Sequence, residues 1–265
     1  MLNQPTITIY ITNCNYGKYL KTAIESAINQ TYKKTDLIVI DDASIDISKR
    51  ILEKYEKYDF ITIIYNKKRK GLVKSSNIAV RASKGKFILR LDADDYLHPD
   101  ALKKMYSKIK KYSNVALIFP DYYLVNDKSK ILSRFKYKHK TNYTLKDLPA
   151  HGACSLINKK MFMKIGGYSE KFDRQDGYYI WFSILFNKLK IMHYGKPLFY
   201  YRKHGKNLSR EMKKILRTRL NILKHLLNKN FQFKSILLLH KKNTIMRLNR
   251  YSQKAKKWKW IIFKV

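Results

Sequence analysis

The sequence predicts an α/β fold, a mostly parallel central sheet with helices on both faces. Two observations carry this. Over the first hundred residues, short apolar or β-branched runs alternate with segments whose apolar residues recur three and four apart, the β-α-β-α-β-α-β rhythm of such a sheet. Three of the strand-like runs also end in polar clusters: Thr12-Asn13-Cys14-Asn15, Asp41-Asp42-Ala43-Ser44 and Asp92-Ala93-Asp94-Asp95. Ligands of such sheets bind beyond the carboxyl ends of the strands.

Along the chain, residues 6–12 alternate and are rich in Thr and Ile, which makes them a strand. Tyr19, Leu20, Ala23, Ile24, Ala27 and Ile28 mark one face of a helix. Leu37-Ile38-Val39-Ile40 is a buried strand, and Ser44 or Asp46 caps a helix carrying Ile47, Ile51, Leu52 and Tyr55. Residues 60–65 form a third strand, followed by the basic loop Lys67-Lys68-Arg69-Lys70-Gly71 and a helix near 73–82. A fourth strand ends at Asp92. Asp95 or Asp100 caps the next helix, with Pro99 suited to its first turn.

The second half is less regular. It reads as a strand at 115–119, a hairpin over 121–135 and a buried strand over 152–157. Asn158 caps a helix that stops at Gly166-Gly167. An aromatic helix over 178–187 and strands at 190–193 and 198–201 come after it.

Composition bounds the function. A chain of 265 residues, 45% hydrophobic, is enough for one large domain or for a domain plus an appendage. Two cysteines give neither a zinc spacing nor a disulfide framework, as expected of a reducing compartment. Met1-Leu2-Asn3-Gln4-Pro5 has no signal-peptide pattern, and no apolar stretch is long enough to span a membrane. The formal net charge is +38, and residues 212–265 hold sixteen Lys or Arg and no Asp or Glu. Such a segment favours anionic surfaces. Met212, Ile215, Leu216, Leu220, Leu223 and Leu227 share one helical face, residues 231–239 are apolar, and residues 254–264 mix lysine with tryptophan. These features suit either a helical appendage on the core or a membrane interface.

Against that charge, three carboxylates within residues 92–95 stand out. Carboxylates this close repel unless a cation lies among them. Oxygen ligands of this kind suit Mg²⁺ or Mn²⁺, which in turn grip a diphosphate. The same residues also fit a plain polar turn. Neither G-x-G-x-x-G nor a G-K-[ST] phosphate loop is present, so no glycine cradle holds a nucleotide.

These pieces together resemble glycosyltransferase family 2, inverting enzymes of the GT-A fold. The resemblance runs from about Thr6 to about Ser209. It rests on Asn13-Cys14-Asn15 with Asn29-Gln30-Thr31-Tyr32, on the run from Val39 to Asp46, on Asn77-Ile78-Ala79, and on Leu91-Asp92-Ala93-Asp94-Asp95. Gly166-Gly167-Tyr168, Gln175-Asp176 and Tyr201-Arg202-Lys203-His204 complete it. It implies a catalytic domain over 1–209 and a basic, mainly helical extension over 210–265. It also implies that Thr12, Asn15, Asp41, Asp42, Asn77 and Asp92 bind the nucleotide, with Asp42 reading the base. Asp92, Asp94 and His204 would hold Mn²⁺ or Mg²⁺, Asp95 would shape the turn, and Asp176 would be the general base. Asp176 also reads as the cap of the aromatic helix. The chain departs from the family pattern at Cys14, where relatives often carry an aromatic ring, at Ser76, where they often carry Arg, and at Gln175, where they usually carry Glu. Arg69 or Lys74 is placed to supply the charge missing at Ser76.

The implied donor is a nucleotide-sugar, a UDP-sugar favoured, and the implied acceptor a surface glycan or lipid-linked saccharide. The expected location is the cytoplasm or the inner face of the plasma membrane, with an anionic membrane surface as a partner of the tail. Two alternatives use other chemistry. A sugar nucleotidyltransferase wants a glycine-rich, arginine-containing loop after the first strand, and Thr12-Asn13-Cys14-Asn15 is not one. A nucleic-acid-binding protein explains the charge but not the acidic strand ends, and no recognised motif for it appears; nucleic acid is not an expected partner.

Overall fold

The computed structural model describes residues 6–138, 140, 142–147, 152–205, 207–229 and 231–262. The chain divides into two compact units, residues 1–204 and 205–265.

The first unit is built on one mixed sheet. Its amino-terminal half is parallel: β1 (Ile7–Asn13), β2 (Thr35–Asp41), β3 (Ile61–Tyr65) and β4 (Phe87–Asp92) lie in the order β3-β2-β1-β4. Between them run α1 (Gly17–Ile28), α2 (Ser48–Leu52) and α3 (Leu72–Ala82). β5 (Tyr96–Leu97) and α4 (Ala101–Ile109) lead to the long β6 (Val115–Val125), which makes a hairpin with β7 (Ile131–Phe135). β8 (Leu156–Asn158) inserts antiparallel between β4 and β6. Next come α5 (Lys159–Lys164), α6 (Asp176–Phe186) and β9 (Lys190–Arg202), which pairs parallel to β6.

Alternation along the strands feeds two cores, one on each face. Ile7, Ile9 and Ile11 of β1 pack with Leu37, Val39, Leu89 and Leu91 beneath α1 and α4. Tyr10, Ile38, Ile40 and Ile88 face the other way, onto Val73, Ala79 and Val80 of α3 and Ile180, Trp181 and Ile184 of α6. Both faces being covered, these strands read as continuous apolar runs.

Register sets where the polar strand ends lie. Thr12 pairs with Asp92, and Asn13 pairs with Asp41. The polar ends of β1, β2 and β4 are therefore level. The chain leaves β1 toward β2 and β3, then returns to place β4 on the other side. The three ends thus meet at the topological switch point, where open α/β sheets bind ligands.

Several local expectations are corrected. Neither Ser44 nor Asp46 occupies the cap position of α2, which is Ile47. Ser44 instead donates to Asp41, and Asp46 accepts from Ser48 and Gly17. Asp100 takes the cap position of α4 but makes no side-chain cap bond. The strands expected at 190–193 and 198–201 are one strand, kept continuous by the long β6 beside it. Only the end of 152–157 is strand, because Cys154 adopts φ 56°. Asn158 caps α5 by accepting from the Met161 amide.

In the second unit, α7 (Met212–Lys229) and α8 (Lys234–Ile262) pack on each other. The inner face of α8 buries Leu237, His240 and Thr244. The tryptophan- and lysine-rich side chains of 254–264 lie outside the described residues.

Candidate active site

The switch point gathers most of the expected site residues. On the β2 side, Asn13 Nδ2 donates to Asp41 Oδ1 (2.7 Å), and the Ser44 hydroxyl donates to the same oxygen (2.6 Å). Asp42 is held differently. Its Oδ1 accepts from Asn66 Nδ2 and the Lys70 amide, both at 2.8 Å, and its Oδ2 accepts from the Gly71 amide at 2.7 Å. Asp42 therefore pins the basic loop over the end of β2. Asn15 is tied to the same turn, its Oδ1 accepting from the Ile45 amide. Thr12 sits one residue earlier than Asn13, level with Asp92. Asn77 on α3 is engaged elsewhere. Its amide donates to the Tyr168 carbonyl and to Glu170 Oε1.

At the end of β4 the chain turns sharply at Asp94 and Asp95. His204, just past β9, brings Nε2 to 2.8 Å from Asp94 Oδ2. Tyr16 and Tyr19 pack their rings against the His204 ring. Burial, then Asp94 and Asp92, push the Tyr16 phenol well above its ordinary pKa. Asp95 is buried, and its Oδ1 accepts from the Arg202 amide at 2.8 Å. Burial, reinforced by Asp94 and Asp92, raises its pKa.

Arg202 is what holds this turn. It is 2% exposed. Its guanidinium lies between the rings of Tyr19 (4.9 Å) and Tyr96 (5.4 Å). Nε donates to the Asp94 carbonyl, and Nη1 reaches the Asn126 and Asp127 carbonyls and the Ser129 hydroxyl.

Asp176 is the first residue of α6, not its cap; the cap position is Gln175, in a left-handed conformation (φ 61°). Its carboxylate is buried and ion-paired with Arg90. Arg90 lies on β4 two residues before Asp92, and its Nε is 3.0 Å from Asp92 Oδ1, without the alignment of a hydrogen bond. One buried guanidinium thus joins Asp92 to Asp176. Burial works against its charge, and Asp176 and Asp92 overcome that, holding its pKa above the usual value.

The turn at Gly166 (φ 92°) and Gly167 (φ 64°) ends α5 and delivers Tyr168 to this cluster. There the Tyr168 hydroxyl shares a 2.7 Å hydrogen bond with that of Tyr10.

Sequence reasoning missed Arg90, Arg202 and Tyr168 as site supports. It also missed a backbone signature. Among the described residues six non-glycine residues sit at positive φ, and four of them, Asn15, Ala43, Cys154 and Gln175, flank a site segment. Such costly conformations concentrate at functional sites.

The donor set suits a divalent cation in part. Asp94 and His204 offer one carboxylate oxygen and one imidazole nitrogen at the same point, an acceptable pair for Mn²⁺. Among the described residues no group of three His, Cys, Asp or Glu side chains forms a ready cage. The remaining coordination positions would fall to ligand oxygens and water, as is usual for cations that serve phosphates.

Comparison with known proteins agrees with this architecture. The family model described as "Glycosyl transferase family 2" matches residues 8–166. An uncharacterized glycosyltransferase of Methanocaldococcus jannaschii is 32% identical over 199 residues, 72% of this chain and 68% of that protein. Escherichia coli chondroitin synthase is 37% identical over 116 residues, 43% of this chain but only 17% of that enzyme. Among solved structures, a mannosyltransferase of Pyrobaculum calidifontis in complex with GDP-Man and Mn²⁺ superposes with a TM-score of 0.70 at 13% identity, covering 90% of this chain and 69% of that one. S. aureus TarS 1–349 in complex with UDP-GlcNAc gives a TM-score of 0.69 at 18% identity, covering 84% and 67%. The chain therefore belongs to glycosyltransferase family 2 and is a glycosyltransferase of the GT-A fold.

Proposed function

We propose that this enzyme moves one sugar, with inversion, from a nucleoside-diphosphate sugar to a hydroxyl of a surface glycan or lipid-linked saccharide. The observation that carries the reading is the meeting of Asp94 with His204 at one end of the buried Asp92–Arg90–Asp176 chain. Thr12, Asn15, Asp41, Asp42 and Asp92 hold the nucleoside at the level strand ends, and Asn77 acts through the Tyr168 segment. A UDP-sugar is favoured, in keeping with UDP-GlcNAc in one structural neighbour.

Asp94 and His204, with Asp92 beside them, would hold Mn²⁺ or Mg²⁺, which would supply Lewis-acid stabilisation of the charge left on the departing diphosphate. Asp176 accepts the proton of the attacking hydroxyl as that oxygen bonds the anomeric carbon. The bond from that carbon to the diphosphate breaks on the opposite face. A base so placed contributes on the order of 10²- to 10⁴-fold.

The test is UDP release from a panel of UDP-sugars, with GDP-mannose alongside, in the presence and absence of Mn²⁺. Turnover should need the metal and be lost in Asp94→Ala and Asp176→Asn. Unchanged turnover in both variants overturns the reading. Pyrophosphate release from a nucleoside triphosphate would instead mark a nucleotidyltransferase.

A second partner is an anionic membrane surface, reached from the cytoplasmic side. The outer face of α8 exposes Leu238, Leu239, Ile245 and Met246, between 39% and 52% each. Lys242 lies among them, and no acid follows Glu211. A second copy of this chain would set sixteen cations against sixteen, so anionic lipid is the better complement. No described helix is long and apolar enough to cross a membrane. Flotation with phosphatidylglycerol vesicles but not phosphatidylcholine vesicles is expected, and weakened by Leu238→Ser with Ile245→Ser. Equal flotation with both lipids, or with neither, overturns it.

A further inference from the structure

The geometry points to Arg90 as a positioning residue: it fixes the direction of the Asp176 carboxylate and ties it to the Asp92 end of the donor site. This rests on the reading of Asp176 as the base. Three observations meet here.

First, Arg90 is 5% exposed on a central strand, in a run that is otherwise Phe, Ile and Leu. Charged side chains are almost never buried so fully without partners. Its partners are the two carboxylates already placed in the site, one from each end of the guanidinium. Nε faces Asp92 Oδ1 and Nη1 donates to Asp176 Oδ2. A lysine, a single point charge on a flexible stem, spans such a pair poorly.

Second, Arg90 engages only one oxygen of Asp176. Among the described residues no hydrogen bond reaches Asp176 Oδ1. The fork therefore selects the oxygen left to receive a proton and sets its direction.

Third, the surroundings keep the fork in place. A Cβ added to Gly152 would lie 3.2 Å from Arg90 Nη2, and one added to Gly177 would lie 2.8 Å from the Gly152 Cα. The Gly177 position is thus closed to a side chain, and at Gly152 one would press on the guanidinium, so the Gly152 backbone packs close beside it. The groups that also act on this cluster are the phenols of Tyr10 from β1 and Tyr168 from the α5–α6 loop. Burial raises both, Tyr168 to about 12, so they are neutral at working pH, and the cation paired with Asp176 is Arg90.

The consequence is a separation of roles. Arg90 donates a hydrogen bond to Asp176 but meets Asp92 without one, so its loss should cost turnover far more than nucleotide binding. A misaimed catalytic group costs on the order of 10²-fold.

The experiment compares Arg90→Lys, Arg90→Met and Asp176→Asn in the full chain. The probes are UDP with Mn²⁺ by calorimetry and UDP release from UDP-GlcNAc across pH, or from whichever UDP-sugar the panel shows to turn over. UDP affinity within about threefold of wild type is expected for both Arg90 variants. kcat should fall about 10²-fold in Arg90→Met and should partly recover in Arg90→Lys. If Arg90→Met does not fold, Arg90→Lys decides alone: a reduced kcat with unchanged UDP affinity supports the proposal, and wild-type kcat overturns it. Wild-type kcat in Arg90→Met overturns it as well, as does an equal loss of UDP binding and turnover. If Asp176→Asn itself keeps full turnover, the base reading fails instead.

Discussion

His204 and Asp94 stand 110 residues apart in sequence, yet their side chains meet at 2.8 Å between Nε2 and Oδ2. If this pair holds the metal, His204→Ala should weaken the apparent Mn²⁺ affinity of turnover by at least about tenfold, in line with what even outer partners of a metal site are worth. The UDP-sugar KM at saturating Mn²⁺ should change less. Mn²⁺ titrations of UDP release give both numbers, and an unaltered Mn²⁺ midpoint would remove His204 from the metal site.

Asp42 is an anchor for the basic loop. Its two oxygens accept from the Lys70 and Gly71 amides, and Asp42→Ala leaves those donors and Asn66 without their acceptor. Asn66 is the buried one of the three, and an orphaned buried group costs about 1–3 kcal/mol. A loss of about 2 kcal/mol by urea denaturation is expected, with faster hydrogen exchange at Lys70 and Gly71. Native stability and slow exchange in the variant would contradict the anchoring role.

Gly177→Ala forces a methyl against the Gly152 backbone, with 2.8 Å available. Backbone must move, at a cost of about 1–3 kcal/mol. Because Asp176 is the neighbouring residue, kcat should drop by something on the order of 10²-fold, while UDP–Mn²⁺ binding persists. Steady-state kinetics beside calorimetry would show it; parallel losses in both would mean general collapse of the site.

Cys14 reports on the nucleoside end. Burial raises its thiol, Arg69 lowers it, and Asp42 and Asp41 raise it further. A raised thiol is less ionised at a given pH, so iodoacetamide labelling should lag behind a free cysteine at neutral pH and climb only above the ordinary 9.0. Arg69→Ala removes a cation and should slow labelling further. UDP with Mn²⁺ should protect Cys14, whereas buried Cys154 stays silent throughout. Mass spectrometry of the adducts decides, and identical labelling with and without UDP would move the nucleoside away from Cys14.

Much of the fold was legible because strands covered on both faces write themselves as apolar runs, and because a parallel register carries their acidic ends to one level. The family resemblance also set His204 beside Asp94 as an expectation, and their side chains do meet. Arg90 and Arg202 were not. Each is a cation whose partners lie 75 to 110 residues away or on the backbone, and local pattern has no term for that. A signal did exist: an arginine inside Phe-Ile-Leu-Arg-Leu-Asp demands a buried carboxylate somewhere. The insertion of β8 between β4 and β6 was equally hidden, since three residues of strand carry no register information of their own.

Arg202 has a further consequence for anyone re-engineering this scaffold. Its guanidinium is socketed at once in the Asp94 carbonyl and in the 126–129 turn of the β6–β7 hairpin. A loop graft that swaps this hairpin to retarget the enzyme would leave that socket half empty and loosen the Asp94 turn with it. The transplantable module is the hairpin plus the carbonyls of Asn126 and Asp127 and the hydroxyl of Ser129. Grafts cut at residue 130 should keep metal-dependent turnover, and grafts cut at residue 125 should lose it.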